Sequence, residues 1–212
     1  GIKKKKKKKN EMERNGKETD YPLKREKIIV PPVPYYGMID SKTGYIRFTT
    51  FTQNCIEDVK NALTSLKNIN AQQIILDLRG NPGGLLTEAV EIVNLFVAQG
   101  NEVVSTKGKV KQFDENFKTT KQAVDEKIPL AVIINRGSAS ASEIVAGAIQ
   151  DLDRGIIVGQ RSYGKGLVQI TRPLRYNTQL KVTTAKYYIP SGRCIQARDF
   201  SHPNEDGSVG II

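Results

Sequence analysis

The chain has 212 residues, 38% of them hydrophobic, and 33 basic against 22 acidic side chains for a formal net charge of +11. That length makes one domain, or one domain plus a fragment, and suffices to bury a core. Two cysteines (Cys55, Cys194) and one histidine (His202) supply neither a disulfide framework nor a four-Cys zinc site, and a Ser-His-Asp triad would hang on one residue of a polar stretch, so the chemistry is expected to do without histidine.

Apolar runs such as Ile74–Leu76 and Ala131–Ile134 fall far short of the ~20 residues a membrane span needs. The charged N-terminus lacks the apolar segment of a signal peptide. Residues 1–27 hold 12 basic and 5 acidic side chains, so +7 of the +11 sits there, most of it in Lys3 to Lys9. Such a block stays solvated and binds polyanions weakly and without selectivity. No aromatics interleave it, as a single-strand binder requires. Residues 1–27 are therefore read as a basic low-complexity tail with no specific nucleic-acid partner.

From Lys27 the composition turns globular. Residues 28–34, with three prolines, read as extended because each proline drives its predecessor out of the helical region. Gly44–Phe51 reads as a strand. Ile56, Val59, Leu63 and Leu66 recur at helical spacing behind Glu57 and Asp58, which suit the positive end of a helix. Ile74–Leu78 is a short buried strand, Gly80–Gly84 a turn, and Leu85 to Phe96 a second helix ending before Gly100. A strand at Glu102–Ser105 precedes a polar excursion over 107–128. Leu130–Ile134 is again a strand, followed by a loop and a helix from Ser140 to Leu152. Strands at Ile156–Gly159, Leu167–Ile170 and Leu180–Ile189 complete an α/β pattern, a mixed sheet with packed helices. Residues 201–212 read as a polar tail, and both ends of the chain look cut.

Three loops carry candidate chemistry. Asp77-Leu78-Arg79-Gly80-Asn81-Pro82-Gly83-Gly84 follows a strand and opens a helix, a junction that aims free N–H groups at a ligand; it also serves as a plain tight connection. In Ser138-Ala139-Ser140-Ala141-Ser142-Glu143, Ser140 and Glu143 fit a capping box, and any of the three serines fits a nucleophile beside an oxyanion hole. Gly164-Lys165-Gly166 presents a lysine on a flexible backbone. Gly159–Lys165 also fits the opening of a phosphate-binding loop, but Gly166 stands where Ser or Thr should hold Mg²⁺ and a strand follows instead of a helix. Burial in an apolar cleft can lower a lysine amine toward neutrality, so that it takes a serine proton in place of histidine. Gln169, four residues on, shares a face with Lys165 if the segment is extended, and an uncharged amide suits the task of orienting the amine.

These three stretches, in this order, resemble the carboxyl-terminal processing peptidases, the Ser-Lys tail-specific proteases, over roughly residues 28–200. The resemblance implies a β/α core of the ClpP–crotonase kind and a serine endopeptidase that cuts proteins near their C-termini by acyl transfer, without metal or cofactor. By position it makes Ser140 the nucleophile, 25 residues before Lys165 as general base, with Gln169 positioning the lysine. It places the oxyanion hole at the N–H groups of Gly84 and Ala141, with Gly83 beside them. It gives Asp151 a structural role, makes Arg79 and Asn81 loop-shaping residues, and leaves Ser138 and Ser142 as rivals to Ser140. It further implies substrates with apolar C-terminal tails, a homo-oligomer as an option, and a bacterial envelope or periplasmic location. Family members carry a PDZ domain before this region; here only residues 15–26 are a candidate for its last strand. A catalytically silent peptide-binding or scaffold fragment is the alternative.

Overall fold

The computed structural model describes residues 8–23 and 30–211, and side chains for most of these. The chain divides into two units, Gly1–Pro31 and Pro32–Ile212. In the first, β1 (Lys8–Arg14) and β2 (Lys17–Leu23) form an antiparallel hairpin, so part of the segment read as an unstructured tail is strand. The turn is Asn15-Gly16 with both residues at positive φ, the combination that a two-residue hairpin loop of matching twist requires. Lys3–Lys7 and residues 28–29 of the extended reading lie outside the described residues.

The second unit is mixed α/β. Its elements are β3 (Tyr35–Met38), β4 (Thr43–Arg47), α1 (Cys55–Asn68), β5 (Gln73–Asp77), α2 (Leu86–Asn94), β6 (Glu102–Gly108), β7 (Glu115–Lys118), β8 (Leu130–Ile134), α3 (Ala141–Asp151), β9 (Ile156–Gly159), β10 (Leu167–Pro173), β11 (Gln179–Tyr188), β12 (Arg198–Pro203) and β13 (Val209–Ile211). A five-stranded sheet runs β3-β4-β5-β8-β9, parallel from β4 to β9, with β3 antiparallel at its edge. A four-stranded antiparallel sheet runs β10-β11-β6-β7. Helices connect the parallel strands, as the right-handed crossover geometry demands.

The core is laid down in register. Ile46, Leu76 and Val132 stand opposite one another on β4, β5 and β8, continued by Ile157 on β9, and the first three are fully buried. Val59, Ala62, Leu63 and Leu66 of α1 and Ile144, Val145, Ala148 and Ile149 of α3 close over the same cluster. Burying one such side chain contributes about 1.5–3 kcal/mol.

Four expectations need correction. The strand expected over 44–51 stops at Arg47: Phe48 and Phe51 turn inward and pack edge to face, 4.6 Å between ring centres, and Phe48 N–H donates to the Asp77 carbonyl oxygen. β3 was not anticipated. The polar excursion contains β7, which pairs with a β6 longer than expected. Residues 201–211, read as a polar tail, belong to the β12–β13 hairpin.

Candidate active site

β5, β8 and β9 are parallel neighbours, so the loops that follow them leave from the same edge of the sheet. Ligands of open α/β sheets gather at that edge. This is why three stretches far apart in sequence meet: 78–85 after β5, 135–140 after β8 and 160–166 after β9.

The first two loops are stitched together by hydrogen bonds. Ala139 N–H donates to the Asn81 carbonyl (3.0 Å), Ser142 Oγ to the same oxygen (2.9 Å) and Ser138 Oγ to the Leu78 carbonyl (2.8 Å). Asn81 is fully buried, donates its amide to the Phe48 carbonyl and accepts from the Gly83 N–H. Asn135 Oδ1 accepts from the Gly80 and Gly137 N–H groups (2.9 Å each). At the root of the first loop, Asp77 is buried under Arg79, which grips it through Nε and Nη2, and it also accepts from Tyr45 OH. Burial alone would raise its pKa, but the Arg79 and Tyr45 hydrogen bonds outweigh that and hold the carboxyl below its usual range.

Ser138 and Ser142 are fully buried with their hydroxyls spent on carbonyls. Ser140 is different. It is half-buried, heads α3, and holds φ 55°, ψ −113°, a conformation that L residues rarely adopt and that costs on the order of 1–3 kcal/mol. Its neighbours leave donors open: neither the Ala141 nor the Gly84 N–H reaches an acceptor among the described residues. Gly84 bridges Phe51 in parallel fashion through the Gly83 carbonyl and the Leu85 N–H, which leaves its own N–H turned away. Gly83 and Gly84 sit at φ +95° and +153°. A Cβ on Gly83 would stand 2.8 Å from the Ala141 nitrogen and 2.9 Å from Ser140 Cβ, so only glycine lets this loop touch the head of α3.

The third loop is tied in by Glu143. Its carboxylate, on a residue only 6% exposed, accepts the Ser140 N–H (Oε2, 2.8 Å), the Lys165 N–H (Oε2, 2.8 Å) and the Gly164 N–H (Oε1, 2.5 Å). The capping box that the spacing implies is present, but the same carboxylate also joins the Ser140 turn to the Lys165 loop. Gln196, buried, accepts the Gly166 N–H at 2.9 Å and holds the loop from the far side. The sequence gives Glu143 only as a cap and gives no signal at all for Gln196.

Lys165 and Gln169 line one cavity of about 180 Å³ together with Leu167 and Phe200. Both residues are exposed, so the lysine is not in the closed apolar cleft anticipated for it. No hydrogen bond joins the Ser140 and Lys165 side chains, and Gln169 Nε2 donates to Thr183 Oγ1 (3.4 Å) rather than to the lysine. Asp151, at the end of α3, accepts from the Ser191 N–H and from Arg193, anchoring the turn after β11. Burial would raise its pKa, but these partners hold it below the ordinary carboxylate range. Among the described residues no cluster of His, Cys, Asp and Glu fits a metal ion.

Comparison with known proteins supplies the family. Residues 42–202 match the model of peptidase family S41, and the chain belongs to that family. Among its relatives, it is 41% identical over 184 residues to the carboxy-terminal-processing protease of Bartonella bacilliformis, covering 85% of this chain and 42% of that one. It is 36% identical over 190 residues to a probable CtpA-like serine protease of Staphylococcus epidermidis, covering 88% and 38%. Among solved structures, the photosystem II D1 C-terminal processing protease superposes with a TM-score of 0.71 at 31% identity, over 84% of this chain and 49% of that one. The chain thus spans about two fifths of the length of these curated relatives.

Proposed function

We propose that this chain is the catalytic core of a serine endopeptidase with a Ser-Lys dyad. Ser140 attacks a substrate carbonyl, Lys165 accepts the hydroxyl proton, and the Ala141 and Gly84 N–H groups hold the developing oxyanion. The lysine then returns the proton to the leaving amine, and water releases the acyl-enzyme. Gln169 orients the lysine when the site engages substrate. The observation that carries this reading is the contrast among three serines. Only Ser140 is free of a structural carbonyl, strained and flanked by two unengaged N–H donors, while its backbone is coupled to that of Lys165 through Glu143.

Substrates are protein chains cut near their C-termini, as the names of the relatives suggest, with apolar tails preferred; the site of action is the bacterial envelope or periplasm. No described helix is long and apolar enough to cross a membrane. The protease core is assigned to residues 28–200, β2 (Lys17–Leu23) is read as a remnant of a PDZ-like domain, and self-association is an added feature to be tested by sedimentation.

A second reading has its own support. The exposed Lys165 and Gln169, not yet hydrogen-bonded to Ser140 or to each other, suit a peptide-binding fragment in a resting geometry. Incubating the purified chain and Ser140→Ala with an unstructured protein ending in an apolar tail, followed by mass spectrometry, separates the two. Cleavage by the parent alone supports the peptidase. Cleavage by neither supports the binding fragment, and cleavage by both removes Ser140 from the nucleophile's role.

A further inference from the structure

A second, larger groove adjoins the Lys165 cavity and shares Leu167 and Phe200 with it. It has a volume of about 750 Å³, runs over β10, β11 and β6, and is floored by apolar side chains including Val110, Phe113 and Val182. That is the size of a cavity that takes several groups of a ligand. Val110, Val182 and Phe200 are 52%, 36% and 56% exposed, an apolar surface left open to solvent.

Its charge is one-sided. Lys107, Lys109, Arg172 and Lys186 line it, and no Asp or Glu does. Asp114, in the same region, is taken by the Gly108 N–H at 2.8 Å. None of the four cations forms an ion pair among the described residues. Lys107 and Lys186 face each other directly in the β6–β11 register, and like charges so opposed destabilise a sheet. Lys107 is further fixed with its amine 5.0 Å from the centre of the Tyr188 ring. A pair of opposed, unpaired lysines over an apolar floor is relieved when an anion enters with apolar groups beside it.

We propose that this groove binds the substrate polypeptide through acidic side chains set among apolar ones, so that the enzyme prefers segments mixing Glu or Asp with aliphatic residues. This deepens the peptidase reading and rests on it for the word substrate, since the groove opens next to Lys165. The source of the negative charge is the side-chain carboxylate and not the chain terminus. Charge complementarity of this kind acts mainly on selectivity and encounter rate, and it weakens with salt.

Binding is measured by fluorescence anisotropy on Ser140→Ala, so that no peptide is consumed. The probes are two C-terminally amidated peptides of alternating leucine and glutamate, or leucine and glutamine, plus the glutamine peptide with a free terminal carboxylate. The glutamate peptide is expected to bind about tenfold more tightly at roughly 50 mM salt, with the advantage collapsing at about 500 mM. It should also collapse in K107Q/K186Q, whose melting temperature stays at or above that of the parent because the opposed charges are gone. Equal affinities for the glutamate and glutamine peptides overturn the proposal. So does a preference that survives K107Q/K109Q/R172Q/K186Q, which removes all four groove cations and would assign it to charges elsewhere, or equal binding of the free-acid glutamine peptide, which would assign it to the terminus. Because the measurement needs no catalysis, it stands or falls separately from the cleavage experiment.

Discussion

Glu143→Gln is the perturbation that most directly tests how the three loops are assembled. In the native site one carboxylate takes three backbone N–H groups, from Ser140, Gly164 and Lys165. A carboxamide keeps the shape but offers one oxygen and one NH2, so at least one N–H faces another donor. A hydrogen bond to a charged acceptor contributes about 1.5–3 kcal/mol and a neutral one about 1. Removing the charge also removes the cost of burying it, which places the net loss at the low end, about 2 kcal/mol. In urea, with a slope of about 1–3 kcal/mol per molar, the midpoint should fall by roughly 1 M. Amide exchange gives the local readout: the Gly164 and Lys165 N–H groups should lose protection well before the β5 and β8 amides do. An unchanged midpoint with unchanged protection at 164 and 165 would refute the view that Glu143 clamps the lysine loop to the serine turn. Glu143→Asp, one methylene shorter, should keep the contact to Ser140 and lose those across to the loop.

Gly83→Ala should destabilise by about 2 kcal/mol or more in thermal melts, since its φ of +95° suits no side chain and the added Cβ would stand 2.6 Å from the Ala139 carbonyl oxygen. Ser138→Ala and Ser142→Ala should each cost about 1 kcal/mol by removing one of the two hydrogen bonds to a buried carbonyl, whereas Ser140→Gly should stabilise by about 1 kcal/mol while abolishing any peptidase activity. Asp125 supplies a pH test. Burial opposes its ionisation, but Lys67 and the Lys127 and Ile128 N–H groups outweigh burial and bring it down to about 2. A folded value below the unfolded value of 3.8 means its stabilisation is complete above about pH 4 and is lost as the pH falls toward 2, so Asp125→Asn should flatten the acid limb of stability between those limits in urea titrations.

What the sequence made legible was local and periodic. The three helices announced themselves by apolar spacing, and β5 and β8 by short apolar runs bounded by turns, the mark of strands buried on both faces. β3 and β7 gave no such mark, because each is a four-residue edge strand with no buried residue. The end of β4 was hidden because Phe48 and Phe51 have strand propensity yet are wanted in the core, where they pack on each other. At the site, residue types in a loop could be read as candidates, but their partners could not. Glu143 looks like a cap from its own helix alone, and its other two bonds reach 21 and 22 residues onward. Gln196 answers a donor 30 residues earlier and carries no pattern.

The backbones of Ser140 and Lys165 are already close. One oxygen of Glu143 lies 2.8 Å from the Ser140 nitrogen and 2.8 Å from the Lys165 nitrogen, so the two nitrogens are no further apart than twice that distance. A lysine stem of four methylenes spans such a gap, and its cost in frozen rotamers is on the order of 2 kcal/mol. A ligand in the groove that shares Leu167 and Phe200 with the lysine cavity would confine the amine from one side and offset that cost. On this reasoning the amine itself, at this reach, is the whole requirement. Lys165→Cys in a Cys194→Ser background should be inactive, and alkylation of Cys at that position with bromoethylamine, which rebuilds an amine of nearly lysine length, should restore cleavage. Lys165→Arg, always protonated and planar, should not. Restoration by arginine, or none on alkylation despite an intact fold by circular dichroism, would mean that Lys165 serves as a fixed charge and that Ser140 takes its base from elsewhere.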